Sequence, residues 1–298
     1  MKVRLTTFAR NDKSLLNIFN QKYLNNTSKW KDLQFVTGSS YDKLIILTYP
    51  HALTLDEGYD SRKSITFMTE PSVSPFAKPH ETGKLLDVHL YFPFLPKEIL
   101  GSIDNGGSGR NIVKSEILST VTSELSGLKG HRIRLNFISA LDKIFLKNFD
   151  VYGRSENGTF FKNLNNYKGE LEDKYDGLWP YLYHFACENS FEKGYFTEKL
   201  IDPIISETFC FYSGCPDIKE YIDPRAFTCL DLNKPRESVE LMIETIENNQ
   251  WEKSIRYIRL EKKRFLTDLH PFNLIWSAVH EKDLTNIVRS KQLINNAP

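Results

Sequence analysis

One stretch, Tyr183–Asp202 (YHFACENSFEKGYFTEKLID), constrains the fold more than any other part of the chain. Tyr183-His184-Phe185-Ala186-Cys187 reads as a buried strand, and Leu200, Ile201, Ile204 and Ile205 recur at helical spacing. Thr197 either caps that helix or sits just inside its start. Polar groups therefore collect where a strand gives way to a helix. In an open α/β sheet this is the ligand-binding edge, because the free N–H groups and the dipole of the helix start favour an anion there. Lys199 supplies a point charge for phosphate, and Glu198 beside it can accept from sugar hydroxyls. These residues point to a nucleotide or sugar-phosphate site without choosing between them.

The rest of the chain fits that setting. Lys2–Phe8, Leu33–Val36, the fully apolar Lys43–Tyr49, Ile65–Thr69 and Asp87–Phe92 read as strands, with a helix over Ser14–Leu24. Strands interleaved with helical segments predict a parallel α/β sheet. Gly101–Asn111 (GSIDNGGSGRN) has the least structure-forming composition and marks a domain linker. Its GGSGR lacks the G-K-[ST] ending of a phosphate loop and follows no evident strand. Beyond it, Glu116–Thr122 reads as a strand and Gly130–Phe145 as a helix with an apolar stripe of Ile133, Phe137, Leu141 and Ile144. Phe149–Gly153, Thr208–Tyr212 and Ala226–Leu230 read as strands, with a short helix near Ile218–Ile222, and the pattern is helical from Arg236 onward. Residues 155–180 read as polar loop.

Composition narrows the function classes. A net charge of +1 over 298 residues gives no field to recruit nucleic acid. No apolar run approaches the roughly 20 residues needed to span a bilayer, and the start MKVRLTTFARND lacks the apolar core of a signal peptide, so a cytoplasmic location is expected. The basic cluster Arg256, Arg259, Lys262, Lys263 and Arg264 reads as the solvated face of a helix, with peripheral membrane contact as the alternative. Cys187, Cys210, Cys215 and Cys229 lack paired metal-binding spacing and read as buried reduced thiols. His184, His270 and His280 are scattered and read as structural. There is no Asp-x-Asp metal motif, so no metal ligands are assigned.

The run CENSFEKGYFTEKLID, followed by Phe211-Tyr212-Ser213-Gly214-Cys215-Pro216, resembles the donor-binding signature of the α1,3/α1,4-fucosyltransferase family. The resemblance covers residues 114–231. It implies a GT-B-like architecture of two Rossmann-like domains facing a cleft, with a helical C-terminus. On that basis residues 1–110 are the acceptor-side domain, 111–270 the nucleotide-sugar domain and 271–298 a helical segment. It implies an inverting transfer of L-fucose from GDP-fucose, the donor substrate, to a saccharide acceptor hydroxyl, with no cofactor required. It implies that Glu198 holds the ribose hydroxyls, that Lys199 holds the diphosphate, and that Asn189 and Tyr195 line the nucleotide pocket. The family carries an Arg that reaches the leaving diphosphate. By the phase of the following FISAL run Arg134 is the match, with His131 and Arg132 as neighbours. The family places its general base, a Glu, at the end of a strand of the first domain, and Glu70 in FMTEPS occupies that context. Glu188 reads equally as a solvated edge charge or as a further polar contact. Thr-Glu-Lys reads neither base nor sugar, so the same fold acting on another nucleotide sugar is an alternative. A catalytically silent carbohydrate- or nucleotide-binding protein is a second. A glycoside hydrolase pairing Glu70 with Glu198 is a third, but it leaves Arg134 and Lys199 unexplained.

Overall fold

The computed structural model describes residues 1–77, 83–93, 113–155 and 158–290. The linker expected at Gly101–Asn111 lies outside the described residues. The chain divides into two compact units, one formed by Met1–Gly109 with Leu266–Ser290 and the other by Arg110–Phe265.

The first unit is built on a six-stranded sheet of β1 (Lys2–Thr7), β2 (Lys29–Trp30), β3 (Leu33–Val36), β4 (Lys43–Leu47), β5 (Ser64–Met68) and β6 (Lys84–His89) in the order β2-β3-β1-β4-β5-β6. All neighbours are parallel except β2, which turns back against β3. In β4, Leu44–Leu47 are all buried, as expected of a central parallel strand covered on both faces. The helix Asp12–Lys22 follows β1, capped by the Asn11 side chain, which accepts the Ser14 N–H. The last strand runs over Lys84–His89 and not over the predicted Asp87–Phe92. It pairs with β5 across a register shift, and Phe92 leaves the sheet to stack on Phe19 at 4.6 Å. β2 and the short helix Ala52–Glu57 lack enough sequence periodicity to be anticipated.

The C-terminal helices do not stand apart as the segment 271–298. Pro271–Val279 and Leu284–Arg289 belong to the first unit. The reason is Phe272, which is fully buried and meets Phe19, Phe35 and Phe92 at centroid distances of 5.4, 5.1 and 6.0 Å. His270 caps that helix by accepting the Phe272 N–H and stacks on Trp30 at 4.4 Å. Trp276 donates its indole N–H to Asp32 at 2.6 Å.

The second unit holds β7 (Glu116–Ser123), β8 (Phe149–Arg154), β9 (Tyr167–Gly169), β10 (Tyr181–Cys187), β11 (Phe209–Ser213) and β12 (Phe227–Cys229), all parallel, in the order β12-β11-β10-β7-β8-β9. Counted along the chain this is the doubly wound order 3-2-1-4-5-6, whose switch point falls between β7 and β10. β9 lies inside residues 155–180, which sequence assigns to loop. The predicted helix at Gly130 runs over Lys129–Ile144 and buries Arg134, Phe137, Ile138 and Leu141, while Ile144, placed on the apolar stripe, is 47% exposed at its end. His184 is buried and bonds Ser119 Oγ at 2.8 Å. Cys187, Cys210 and Cys215 are buried free thiols as expected, but Cys229, at the end of the edge strand β12, is exposed.

The basic cluster is a solvated face only in part: Arg256, Arg259 and Lys263 are exposed, but Lys262 and Arg264 are buried. On the helix Gln250–Leu266, Arg264 is buried against Glu261 and the Tyr221 carbonyl at 2.8 Å each. Lys262 is buried against Glu207 at 2.9 Å, and Arg259 reaches the same carboxylate. Among the described residues no helix is long and apolar enough to cross a membrane.

If Phe272 is the keystone of the first unit, Phe272→Ala should cost about 3–5 kcal/mol, the usual penalty for emptying a buried phenylalanine site. Urea unfolding followed by the fluorescence of Trp30 and Trp276 should show that loss. A drop under about 1 kcal/mol would mean that the C-terminal helices are a detachable appendage.

Candidate functional site

At the end of β10 the chain places a carboxylate in the protein interior. Glu188 is 0% exposed. It accepts the Thr197 N–H at 2.8 Å, the Thr197 hydroxyl at 2.8 Å and the Tyr212 hydroxyl at 3.3 Å, and Lys199 Nζ lies 3.5 Å away. Burial pushes its pKa up, against the pull of Lys199 and Thr197. Glu188 is therefore neither a solvated edge charge nor an open ligand contact. It fastens the end of β10 to the end of β11 and to the start of the helix Glu198–Ile205. Thr197 caps that helix, as the sequence suggests, by accepting the Lys199 N–H at 3.2 Å. A second buried carboxylate, Asp202, anchors the helix to Lys174 at 2.7 Å and to the Tyr175 hydroxyl at 3.2 Å.

The Glu198–Lys199 pair sits on this frame. Lys199 Nζ is 3.3 Å from Glu198 Oε1. Burial raises the Glu198 carboxyl, but Lys199 and Lys174 together outweigh it and hold its pKa down at about 2. Burial likewise disfavours the Lys199 ammonium, yet Glu188 and Glu198 more than offset this and raise its pKa. Both groups are charged at neutral pH.

The opposite side of the switch point is set by Gly130. A Cβ on Gly130 would lie 2.5 Å from both the Glu188 and the Asn189 carbonyl oxygens. Only glycine lets the Lys129–Ile144 helix begin hard against the end of β10. One turn on, Arg134 is 6% exposed and gives Nη1 to Asn189 Oδ1 at 3.2 Å and Nη2 to the Ser123 carbonyl at 3.3 Å. Its Nε has no partner, and it forms no ion pair with a described residue. Burial lowers its pKa, and Cys187 and Glu188 offset part of that. Arg132, by contrast, is exposed and turned back to the Ser126 and Gly127 carbonyls. A buried guanidinium with neutral partners only is built to receive an anion.

Arg134 and Lys199 line one small cavity of about 20 Å³ between the ends of β7 and β10. A larger one, about 430 Å³, opens over the ends of β11 and β12. Its walls include Lys129 and Ile133 of the Gly130 helix, Phe191, Gly214 and Asp231. That volume is in the range of small-molecule sites. Gly214 is required there, because a Cβ would come within 2.4 Å of Glu188 Cγ and the Tyr212 hydroxyl.

The predicted site residues are therefore distributed unevenly. Arg134, Asn189, Glu198 and Lys199 gather at the switch point. Tyr195 is 3% exposed and lines neither cavity. Glu70 belongs to the other unit, half-buried just past the carboxyl end of β5. Sequence did not single out Gly130 or Asp202, or the buried role of Glu188. A glycine directly before a basic run at a helix start was the one available signal for Gly130. Among the described residues no group of three or more His, Cys, Asp or Glu side chains is placed to hold a metal ion.

No protein-family model matches the chain, and no curated protein matches it. Solved structures do. An α1,3-fucosyltransferase with GDP is similar at 16% identity and a TM-score of 0.55, covering 100% of this chain and 93% of that one. An α1,3-fucosyltransferase structure at 15% identity gives a TM-score of 0.56 over 98% and 91% of the two chains. A T4 phage BGT mutant in complex with UDP-glucose gives 0.52 at 9% identity over 94% and 99%. The fold is of the GT-B type. Two Rossmann-like domains and a helical C-terminus are thus common to this chain and to those structures.

The arrangement at the switch point depends on the close approach at Gly130, so Gly130→Ala should separate the helix start from β10 and pull Arg134 away from Asn189. Overpacking of this kind costs about 1–3 kcal/mol. Because the obstruction is backbone, no side-chain adjustment relieves it. Thermal unfolding should show the destabilisation, and a variant as stable as wild type would remove the argument for glycine there.

Proposed function

We propose that the chain is an inverting glycosyltransferase that transfers L-fucose from GDP-fucose to a saccharide hydroxyl. The observation that carries this reading is Arg134: a buried guanidinium without a carboxylate partner, beside Lys199, at the switch point of a doubly wound sheet. Two cations and a helix N-terminus there suit a diphosphate. The Glu198 carboxylate beside them suits ribose hydroxyls, and the larger neighbouring cavity is of a size for a nucleoside. The likeness to an α1,3-fucosyltransferase structure with GDP supports the choice of donor, and the UDP-glucose complex marks the second reading, in which the same machinery takes another nucleotide sugar.

In the proposed reaction the Glu70 carboxylate takes the proton of the acceptor hydroxyl. The acceptor oxygen attacks C1 of fucose from the face opposite the leaving group. The C1–O bond breaks and its electron pair departs with GDP. Arg134 and Lys199 meet the charge that grows on the diphosphate, so they stabilise the transition state more than the bound donor. No cofactor enters this scheme.

GDP should raise the melting temperature more than UDP, ADP or CMP do, since a ligand that binds only the native state stabilises it by mass action. A larger shift with UDP would transfer the assignment to a UDP-sugar.

Glu70→Gln separates chemistry from binding. It keeps the side-chain shape but removes the base, so turnover should fall by about 10²–10⁴-fold while GDP affinity stays near wild type. Wild-type turnover would place the base elsewhere, and loss of GDP binding would put Glu70 on the donor side.

A further inference from the structure

His131 begins the same helix as Arg134, and the proposed reaction has not yet used it. It is 7% exposed, and its Nδ1 accepts the Leu128 N–H at 3.3 Å. An acceptor at Nδ1 puts the ring proton on Nε2. That Nε2 is buried and has no hydrogen-bond partner. Asn189 lies next to the ring and favours its charged form as a hydrogen-bonding neighbour does, yet it makes no bond to Nε2 that meets hydrogen-bond geometry. Two buried N–H donors without partners, His131 Nε2 and Arg134 Nε, thus stand one turn apart on one helix, each beside Asn189. An unsatisfied buried donor is costly, and a pair of them at a ligand edge calls for a functional account.

We propose that His131 is a positioning residue for the anion site, a neutral imidazole whose Nε2–H becomes the donor to Asn189 Oδ1 once Arg134 turns its guanidinium onto a bound diphosphate. The inference rests on the reading of Arg134 as a diphosphate ligand. At present Asn189 Oδ1 is satisfied by Arg134 Nη1. A bidentate grip on phosphate removes that donor. Without a replacement the amide would lose its orientation, and the loop that follows β10 would lose a tie to the Gly130 helix.

The surroundings keep the ring neutral. Protonation at Nδ1 would expel the Leu128 N–H. The charged groups facing the ring are Arg132 and Arg134 on its own helix and Lys199 on the helix opposite, and all are cationic. Burial is the largest influence and Arg134 the next, and with Lys199 and Arg132 they lower the imidazole pKa, against an opposing pull from Asn189 that exceeds that of either Lys199 or Arg132. A neutral imidazole at a helix N-terminus can donate without adding charge, as in triosephosphate isomerase, which illustrates the principle.

The test uses the full chain and titration with GDP. His131→Phe keeps a ring but removes both nitrogens, and it should weaken GDP binding about tenfold, the scale of one hydrogen bond to a polar group. His131→Gln should recover most of that, because an amide at this third helical position can accept the Leu128 N–H and still donate. In an Asn189→Ala background His131→Phe should cost nothing further, since its action runs through Asn189. The ¹⁵N spectrum of labelled histidine should show the Nε2–H tautomer of His131 from pH 6 to 8. Wild-type affinity in His131→Phe, an undiminished loss in the Asn189→Ala background, or an imidazolium over that pH range would each overturn the proposal. If the wild-type protein binds inorganic pyrophosphate but not GDP, with the same dependence on His131, the positioning role stands and the nucleotide reading falls. If it binds neither, both fall.

Discussion

The second unit depends on a carboxylate kept out of water. Glu188 is fully buried, and the desolvation of a carboxylate is tolerable only where hydrogen bonds and a cation compensate it. Thr197 supplies two of those bonds, Tyr212 another, and Lys199 the charge. Three chain segments distant in sequence are joined by one group. The loop between β10 and the Glu198 helix therefore has its two ends tied to the same side chain. Removing one partner of such a buried set typically costs about 3–5 kcal/mol, more than any single exposed ion pair on this protein could return.

The same arrangement divides the cations by role. Lys199 is flanked by two carboxylates, so much of its field is already neutralised within the protein. Arg134 is hydrogen-bonded to the Asn189 amide and to the carbonyl and hydroxyl of Ser123, with no carboxylate in direct contact. An anion placed there would gain more from the guanidinium, which no carboxylate touches and Glu188 offsets only in part, than from the ammonium, whose charge two adjacent carboxylates share. Glu198 stays ionised because Lys199 and Lys174 are near it, which keeps an acceptor available without drawing the anion away.

Much of this was legible in the residues, because local patterns carried it. β10, the Thr197 cap and the phase of the Gly130 helix follow from short-range periodicity, and in the structure Arg134 is buried while Arg132 is exposed. What escaped was decided by long-range packing. The run Arg256–Arg264 looks solvated because five cations rarely sit on a buried face, yet Glu207 and Glu261, one of them in a distant loop, draw Lys262 and Arg264 inward. Glu188 was undecided because nothing in one sequence says that Tyr212 and Thr197 converge on it. The shift of β6 toward Lys84 likewise reflects the departure of Phe92 to meet Phe19, a contact that no alternation of residues announces.

The aromatic seat of Phe272 also bears on how the chain is made. The first unit closes around a side chain that is synthesised after nearly all of the second unit. The second unit is continuous through Phe265, so its core is complete before Phe272 has been added. During synthesis, then, the sheet of the first unit is made before Phe272, with Phe19 packed on Tyr23 and Phe92 but Phe19 and Phe35 still lacking their Phe272 contacts, while the later sheet can close without it. The order of completion is the reverse of the order of synthesis.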